Sequence, residues 1–393
     1  MSSSAVSRRQ GRGAVQLPPA LLGLLPVAAV GFDNGGFFPR TSYVGSAAFA
    51  VLAVVALARG RGYHVGSLAL AFVALLAGLV VLTLASAAWG EQGTEALPEA
   101  ARASLYAGAA LAFVLLADRG SVPWFLAGVF VGVVALCTYG LADRVVRAPA
   151  PNPFQGSLLF EPIGYANALG IVAAMGSLLG LGIVGHVATS RGRAVAVAGL
   201  ISTGVALALT ESRGAWLAFA CGLVVLVTLA TTRWRAGVRW LALGVAGALV
   251  VAALVVGPSI SFGDRPAYWR AAIQDGADHP LLGSGAGSFA EYWLQHGDVN
   301  VAVRDAHSLY LETFAELGAL GLSAVLAALF IPLVSVRRTH RAPLVPAACA
   351  AYVAFVVHAG LDWDWELPVT VVVSIACAAA LLAETLDPPS SPK

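Results

Sequence analysis

Arg213 stands in Glu211-Ser212-Arg213-Gly214-Ala215-Trp216, a short hinge between two apolar stretches. A guanidinium so close to hydrocarbon is costly and is kept where it has work to do. It also sits near the start of the next helix, whose unpaired N–H groups favour an anion. The plain alternative is a snorkelling side chain, or one paired with Glu211. Arg265 and Arg270 follow in Gly263-Asp264-Arg265-Pro266-Ala267-Tyr268-Trp269-Arg270. Five residues apart, they need not share a helix face, and a solvated loop of mixed charge would account for them equally. His307 opens the apolar run His307-Ser308-Leu309-Tyr310-Leu311-Glu312-Thr313-Phe314-Ala315-Glu316. An imidazole changes charge near neutral pH, which makes it the natural candidate for proton transfer, the plain alternative being a satisfied polar residue with an interfacial role. Glu312 and Glu316 lie four apart on the same helix, where a carboxylate is expensive unless it is used.

Two further stretches carry polar groups among apolar neighbours. His358-Ala359-Gly360-Leu361-Asp362-Trp363-Asp364-Trp365-Glu366 contains an Asp-x-Asp that resembles a metal-binding pair. His358 and Asp362 would also pair if the helix continued. An interfacial belt, with Trp at headgroup depth and the acids in water, is the favoured reading, so no metal site is expected. Asn167, in Gly164-Tyr165-Ala166-Asn167-Ala168-Leu169-Gly170, is either a residue at a helix start or part of a site. Cys137, Cys221, Cys349 and Cys377 all fall in apolar runs and read as small hydrophobes, with neither a disulfide framework nor a metal cluster.

The elements that position these groups must be membrane helices. Hydrophobic residues make up 59% of the 393 positions and charged residues 11%. A soluble domain carries about 25% charged residues, so lipid must solvate much of this chain. Apolar runs fall at roughly 17–32, 43–58, 65–88, 103–117, 122–141, 163–188, 194–210, 214–230, 240–257, 307–336, 343–360 and 366–383. The expected fold is therefore all-α and polytopic, with about twelve transmembrane helices. Arg8, Arg9 and Arg12 precede the first run. No apolar residues closely follow the Arg pair and no clean cleavage site ends the run, so an uncleaved first helix is expected.

Placing the N-terminus in the cytoplasm puts Arg8, Arg9, Arg12, Arg59, Arg61, Arg119, Arg191, Arg193, Arg233, Arg235, Arg239, Arg337, Arg338 and Arg341 on the inner side. Of the acids, only Asp118, Glu384 and Asp387 join them, and both termini come out cytoplasmic. Arg40, Arg102, Arg144, Arg147, Arg213, Arg265, Arg270 and Arg304 fall on the other side and need a separate reason. The expected divisions are a cytoplasmic tail over 1–16, helices 1–9 over 17–257, a large extracytoplasmic loop over 258–306, helices 10–12 over 307–384 and a second tail over 385–393. The loop, with Asp298 among its charges, is the one sizeable polar segment and has helical texture. Pro266 suits a first helical turn, Gly283, Gly285 and Gly287 break the chain, and Phe289 to Leu294 reads as a second short helix. No internal repeat is evident.

Taken in order, Ser212-Arg213-Gly214-Ala215, Asp264-Arg265-x3-Trp269-Arg270-Ala271-Ala272, His279-Pro280-Leu281-Leu282-Gly283-x-Gly285-x-Gly287-Ser288-Phe289 and His307-Ser308-x-Tyr310-Leu311-Glu312-x3-Glu316-x-Gly318-x2-Gly321 resemble the O-antigen ligase and polymerase family. The likeness runs from about Thr203 to Leu333, with weaker similarity at Gly164–Gly170 and His358–Pro368. It implies a C-type glycosyltransferase-like fold in the bacterial inner membrane with an extracytoplasmic site. It further implies a glycosyltransferase that uses a polyprenyl-diphosphate-linked donor without a metal or other cofactor. An undecaprenyl-diphosphate-linked glycan would be the donor and a hydroxyl on a glycan or lipid the acceptor, with membrane lipids but no nucleic acid as further partners. By the same resemblance Arg213 and Arg265 hold the diphosphate and His307 assists transfer. Arg270, Tyr310, Glu312, Asn167 and Arg304 are the expected substrate-binding residues.

Two other classes are compatible with a polytopic chain. A secondary transporter would place charges near the bilayer midplane and break matching helices in two halves. A non-catalytic lipid-linked-glycan assembly protein could bind diphosphate through the same arginines and would have no use for His307.

Overall fold

The computed structural model describes residues 18–58, 65–90, 93–147, 152–230, 236–255, 263–297 and 301–383. Arg8, Arg9, Arg12, Arg59, Arg61, Arg233, Arg235, Asp298, Glu384 and Asp387 lie outside the described residues, as do the two tails and parts of the 258–306 loop. Among the described residues the fold is all-helical: α1 (Pro19–Gly31), α2 (Pro39–Ala58), α3 (Ser67–Ser86), α4 (Ala96–Leu116), α5 (Val122–Arg147), α6 (Ala166–His186), α7 (Ser190–Leu209), α8 (Arg213–Leu229), α9 (Ala236–Val255), α10 (Arg265–Asp278), α11 (Phe289–His296), α12 (Leu309–Thr339), α13 (Val345–His358) and α14 (Pro368–Ala383). Seven helices (α2 to α7 and α12) are long and apolar enough to cross a membrane, and α1, α8, α9, α13 and α14 carry shorter apolar stretches. The chain is a membrane protein with transmembrane helices.

Helix α14 forms the middle of the bundle. Every residue from Pro368 to Ala383 is buried, as a helix apolar all round must be when other helices sheathe it. It packs against α4, α12 and α13, and α13 in turn packs on α6 and α8. Helix α1 packs on α5 and also reaches α14, and α2 packs on α4.

Two helices run beyond their apolar stretches. Helix α4 starts at Ala96 rather than near 103, because Glu99 and Arg102 pair one turn apart and can join the helix without leaving bare charge. Helix α5 continues to Arg147, which pairs with Asp143 at 2.9 Å, while Arg144 donates to the Ser157 carbonyl at 2.6 Å. Cations at a helix C-terminus also oppose its dipole favourably.

Helix α12 is broken at Gly318, where φ is 62°. An L side chain there would be strained and would strike the Leu281 backbone. The break frees main-chain groups, and the turn passage 280–285 satisfies them. Ser284 N donates to Ala315 O and Gly285 N to Glu316 O, both at 2.9 Å. In return Ala319 N donates to Pro280 O at 2.9 Å and Leu320 N to Leu281 O at 3.2 Å. This pairing fixes α10 and α11 to the bundle, and Pro266 lies in the first turn of α10 as its ring geometry favours.

Candidate active site

The site is assembled from helix ends. Helix α6 begins after Tyr165, and Asn167 in its first turn directs its amide across the bundle instead of capping its own helix. Helix α13 stops at His358, and the turn that follows carries Asp362 into the interior, 2% exposed. Asp362 Oδ1 accepts from the Tyr165 hydroxyl at 2.7 Å and from Trp363 N at 2.8 Å. Its Oδ2 accepts from Asn167 Nδ2 at 2.5 Å and Arg265 Nη2 at 2.7 Å. Asn167 also donates to the Tyr165 oxygen at 2.8 Å. A buried carboxylate is tolerated when it is saturated in this way and paired with a cation.

His307 stands at the mouth of this network, with φ at 56°. A non-glycine residue in the left-handed region is strained, and such strain gathers at functional sites. Its Nδ1 donates to the Asp305 carbonyl at 3.0 Å, which leaves Nε2 as the acceptor of the neutral ring. Tyr268 lies 5.4 Å from the ring and Trp363 6.5 Å, centroid to centroid. Trp363 itself stacks on Tyr165 at 4.6 Å. Burial lowers the His307 pKa below the ordinary histidine value. The negative charge of Asp362 opposes that shift and the positive charge of Arg265 adds to it.

Arg213 begins α8. Ser212 Oγ caps the helix by accepting from Ala215 N at 3.3 Å. Among the described residues Arg213 has no ion pair or side-chain hydrogen bond, so the pairing with Glu211 is not made. The turn is wedged between two helices. A Cβ on Gly214 would lie 3.1 Å from His358 Nε2, and one on Gly170 of α6 would lie 3.0 Å from Ser212 and Ala215. Arg213 thus sits at the ends of α6 and α13 from which Asn167 and Asp362 project.

The expected residues divide into groups. Arg265 and Asn167 meet on Asp362, with His307 beside them, whereas Arg270 is on the exposed face of α10. The Tyr310 hydroxyl donates to the Val356 carbonyl at 2.6 Å. Glu312 and Arg304 belong to a second cluster. There Glu312 accepts from Ala306 N at 2.5 Å, and Arg304 lies 3.2 Å from Glu99 and 3.7 Å from Glu366. Arg102 pairs with Glu366 at 2.6 Å and also with Glu99. Acceptor oxygens of Asp305, Glu312 and Glu366 lie within 4.8 Å of one another, a trio with the oxygen ligands a hard cation would take. Burial pushes Asp305 up to about 6 and Glu366 well above the carboxylate range, against the pull of the two guanidiniums.

Two expectations about the late hinge are corrected. His358 does not pair with Asp362, because α13 ends at His358 and the i,i+4 geometry ends with it. Its Nδ1 lies 3.1 Å from Asp364 Oδ1, both side chains fully buried. Asp362 and Asp364 therefore turn to different partners. Nor are the acids in water, since Asp362, Asp364 and Glu366 are all 4% exposed or less. Sequence reasoning does not single out Asp362, Tyr165, Arg102 or Glu366 as site residues. The signals that point to them are an aspartate in an apolar hinge and an arginine the topology leaves unexplained.

Beside the charged cluster is an apolar cavity of about 130 Å³, lined by Phe72, Tyr106, Leu309, Tyr352, Trp365 and Ile375 among others. Tyr106 roofs it and donates to the Trp365 carbonyl at 2.6 Å.

No curated protein matches the chain. Residues 196–326, from α7 to beyond the break in α12, match the family model described as O-Antigen ligase. The matched stretch contains Arg213, Arg265, Arg270, Arg304, His307, Tyr310 and Glu312, while Asn167 and Asp362 lie outside it. Over that stretch the chain is similar to the O-antigen ligase family.

Proposed function

We propose that the chain transfers a glycan from undecaprenyl diphosphate to a hydroxyl on a glycan or lipid acceptor, at the outer face of a bacterial inner membrane. The observation that carries this reading is His307, held with Nε2 as acceptor beside an Arg265 guanidinium fixed by the buried Asp362. The acceptor oxygen forms its new bond to the anomeric carbon as the bond from that carbon to the diphosphate oxygen breaks. The hydroxyl proton passes to His307 Nε2, and the bonding pair leaves with the diphosphate. Arg213 and Arg265 meet the charge that grows there, since a guanidinium fork suits phosphate oxygens and acts strongly in a site shielded from water. Two such groups supply the counter-charge without a metal. A single displacement inverts the anomeric centre.

Other residues take supporting roles. Asn167 and Asp362 position Arg265, Glu312 holds the approach to His307 through Ala306 N, and Arg270 and Arg304 remain exposed enough to meet the glycan. The Tyr310 ring packs on Gly360 at the base of the site, and the apolar cavity below Trp365 suits the carrier's chain. We read all twelve apolar helices as spans of a C-type glycosyltransferase-like fold, the short ones accommodated by thinning or tilt, with both termini cytoplasmic. The test is transfer of a labelled undecaprenyl-diphosphate glycan by the purified protein in liposomes with EDTA present. Glycan appearing on an added acceptor supports the reading. Folded protein that transfers to neither glycan nor lipid acceptors would overturn it.

A further inference from the structure

The passage Pro280–Leu282 presents apolar side chains outward, with Leu281 73% exposed and Leu282 45% exposed. Next to them on α12 is Leu320, 54% exposed. Two adjacent leucines so open to water are unusual on a polar loop, and a contiguous apolar patch of this kind marks an interaction surface. Its depth can be fixed from the helix that holds it. Leu281 O and Pro280 O accept from Leu320 N and Ala319 N, so the passage sits level with the point where α12 resumes after Gly318. From Ala319 to Arg337 α12 rises over about 18 residues, roughly 27 Å at 1.5 Å each, and Arg337 and Arg338 stand near its far end. A bilayer's hydrocarbon core is about 30 Å thick, so with those arginines at one boundary Ala319 and Leu320 lie just inside the other.

We propose that Pro280–Leu282 is a lipid-immersed anchor, with Leu281 and Leu282 among the acyl chains at the edge of the leaflet on the α10–α11 side. The exposed apolar stripe of α12 continues below it through Leu326, Phe330 and Val334, so the patch extends a lipid-facing surface. The backbone is suited to that place. Lipid tolerates irregular chain only where its polar groups are satisfied. Pro280 has no N–H, the Pro280 and Leu281 carbonyls accept from α12, and Gly283 N donates to His279 O at 2.9 Å, while the Leu281 and Leu282 N–H groups make no main-chain bond among the described residues and so stay at headgroup level, within reach of water. Asp278 and His279, both exposed, precede the passage and mark where the chain returns to the headgroups. The close approach also accounts for the glycines at 283 and 318, each of which faces the other segment's backbone. A Cβ on Gly283 would strike the Glu316 backbone and one on Gly318 the Leu281 backbone, so the passage could not lie against α12 at this depth. Helix α10, with Arg265 at its start, is thereby tethered at the membrane surface. The anchor does not depend on the transfer reaction.

The full chain is reconstituted in phosphatidylethanolamine–phosphatidylglycerol vesicles, with a polarity-sensitive fluorophore on Leu281→Cys or Leu282→Cys and on Gln295→Cys as a water-facing reference. Unsubstituted protein corrects for labelling of the native cysteines. Blue-shifted emission at 281 and 282, quenched by spin-labelled acyl chains more than by aqueous iodide, with the reverse at 295, is the expected result. Iodide quenching at 281 and 282 equal to that at 295 would overturn the anchor. So would shielding from both quenchers, which would mean a protein partner or a second copy covers the patch. Should the substitutions unfold the protein, unsubstituted chain is irradiated with a photoactivatable phosphatidylcholine. Adducts on the peptide containing Leu281 support the anchor, and adducts confined to α12 around Phe330 refute it.

Discussion

Arg265 and Asp362, 97 residues apart in sequence, meet at 2.7 Å and join the start of α10 to the turn between α13 and α14. Asp362 is almost fully buried and its other acceptor sites are taken by Tyr165, Asn167 and Trp363 N, so the carboxylate is fixed before Arg265 reaches it. That arrangement orients one face of the guanidinium and leaves the rest of its donors for a second anion.

Asp362→Asn should therefore weaken transfer while the protein still folds. The new amide would turn a donor towards Asn167 or Arg265, both donors themselves, and Arg265 would lose its set position. Misplacement on the order of 1 Å costs about 10²-fold in rate. Steady-state transfer rates checked against thermal unfolding would show this, and a rate equal to wild type would remove Asp362 from the positioning role.

The pH dependence follows from the environment of His307. Burial lowers its pKa from the ordinary histidine value, and a base must be unprotonated to work. The rate should rise with pH through a midpoint below about 6.5 and level off above it. In His307→Gln that acid limb should vanish along with most of the rate. A limb that persists in the variant would assign it to another group.

Gly214→Ala tests the wedge that holds Arg213. The added Cβ would lie 3.1 Å from His358 Nε2, so ring or turn must yield by a few tenths of an ångström. About a tenfold loss in kcat/KM is expected, on the scale by which small misplacements cost rate. Adding His358→Ala should return part of it, and a double-mutant cycle measures the coupling. Independent, additive effects would contradict the contact.

Gly318→Ala should destabilise the protein by about 1–3 kcal/mol, the usual cost of a strained left-handed residue, before its clash with Leu281 is counted. A thermal unfolding shift in detergent measures it. Gly204→Ala on α7 is the control, because a Cβ there meets nothing within 4 Å and the backbone is helical. It should leave the unfolding temperature unchanged or raise it slightly, as alanine favours a helix over glycine. Equal shifts in the two variants would contradict the special backbone assigned to Gly318.

Much of the helical layout was legible because apolar length and punctuation are local properties. Pro266 placed α10 and Phe289 placed α11, and the apolar runs fall on the helices observed. The start of α4 and the end of α5 were not legible from hydropathy, since Glu99–Arg102 and Asp143–Arg147 carry those turns as charge pairs. The polar network was least legible. His358–Asp362 follows from helical spacing, yet α13 ends at His358, and the partners of Asp362 come from 195 and 97 residues away. Such pairs belong to the packing of α6, α10 and α13, which no local pattern encodes. The same holds for Arg102 and Glu366, whose contact depends on α14 lying against α4.

The most direct test separates donor binding from transfer. Binding of an undecaprenyl-diphosphate glycan and its transfer are measured side by side for wild type, Arg213→Ala, Arg265→Ala and His307→Ala, each shown to be folded. The expected result is weakened donor binding in both arginine variants, with His307→Ala binding donor as wild type does but transferring almost none. Transfer at the wild-type rate by His307→Ala, or donor binding indifferent to both arginines, would contradict the proposed site.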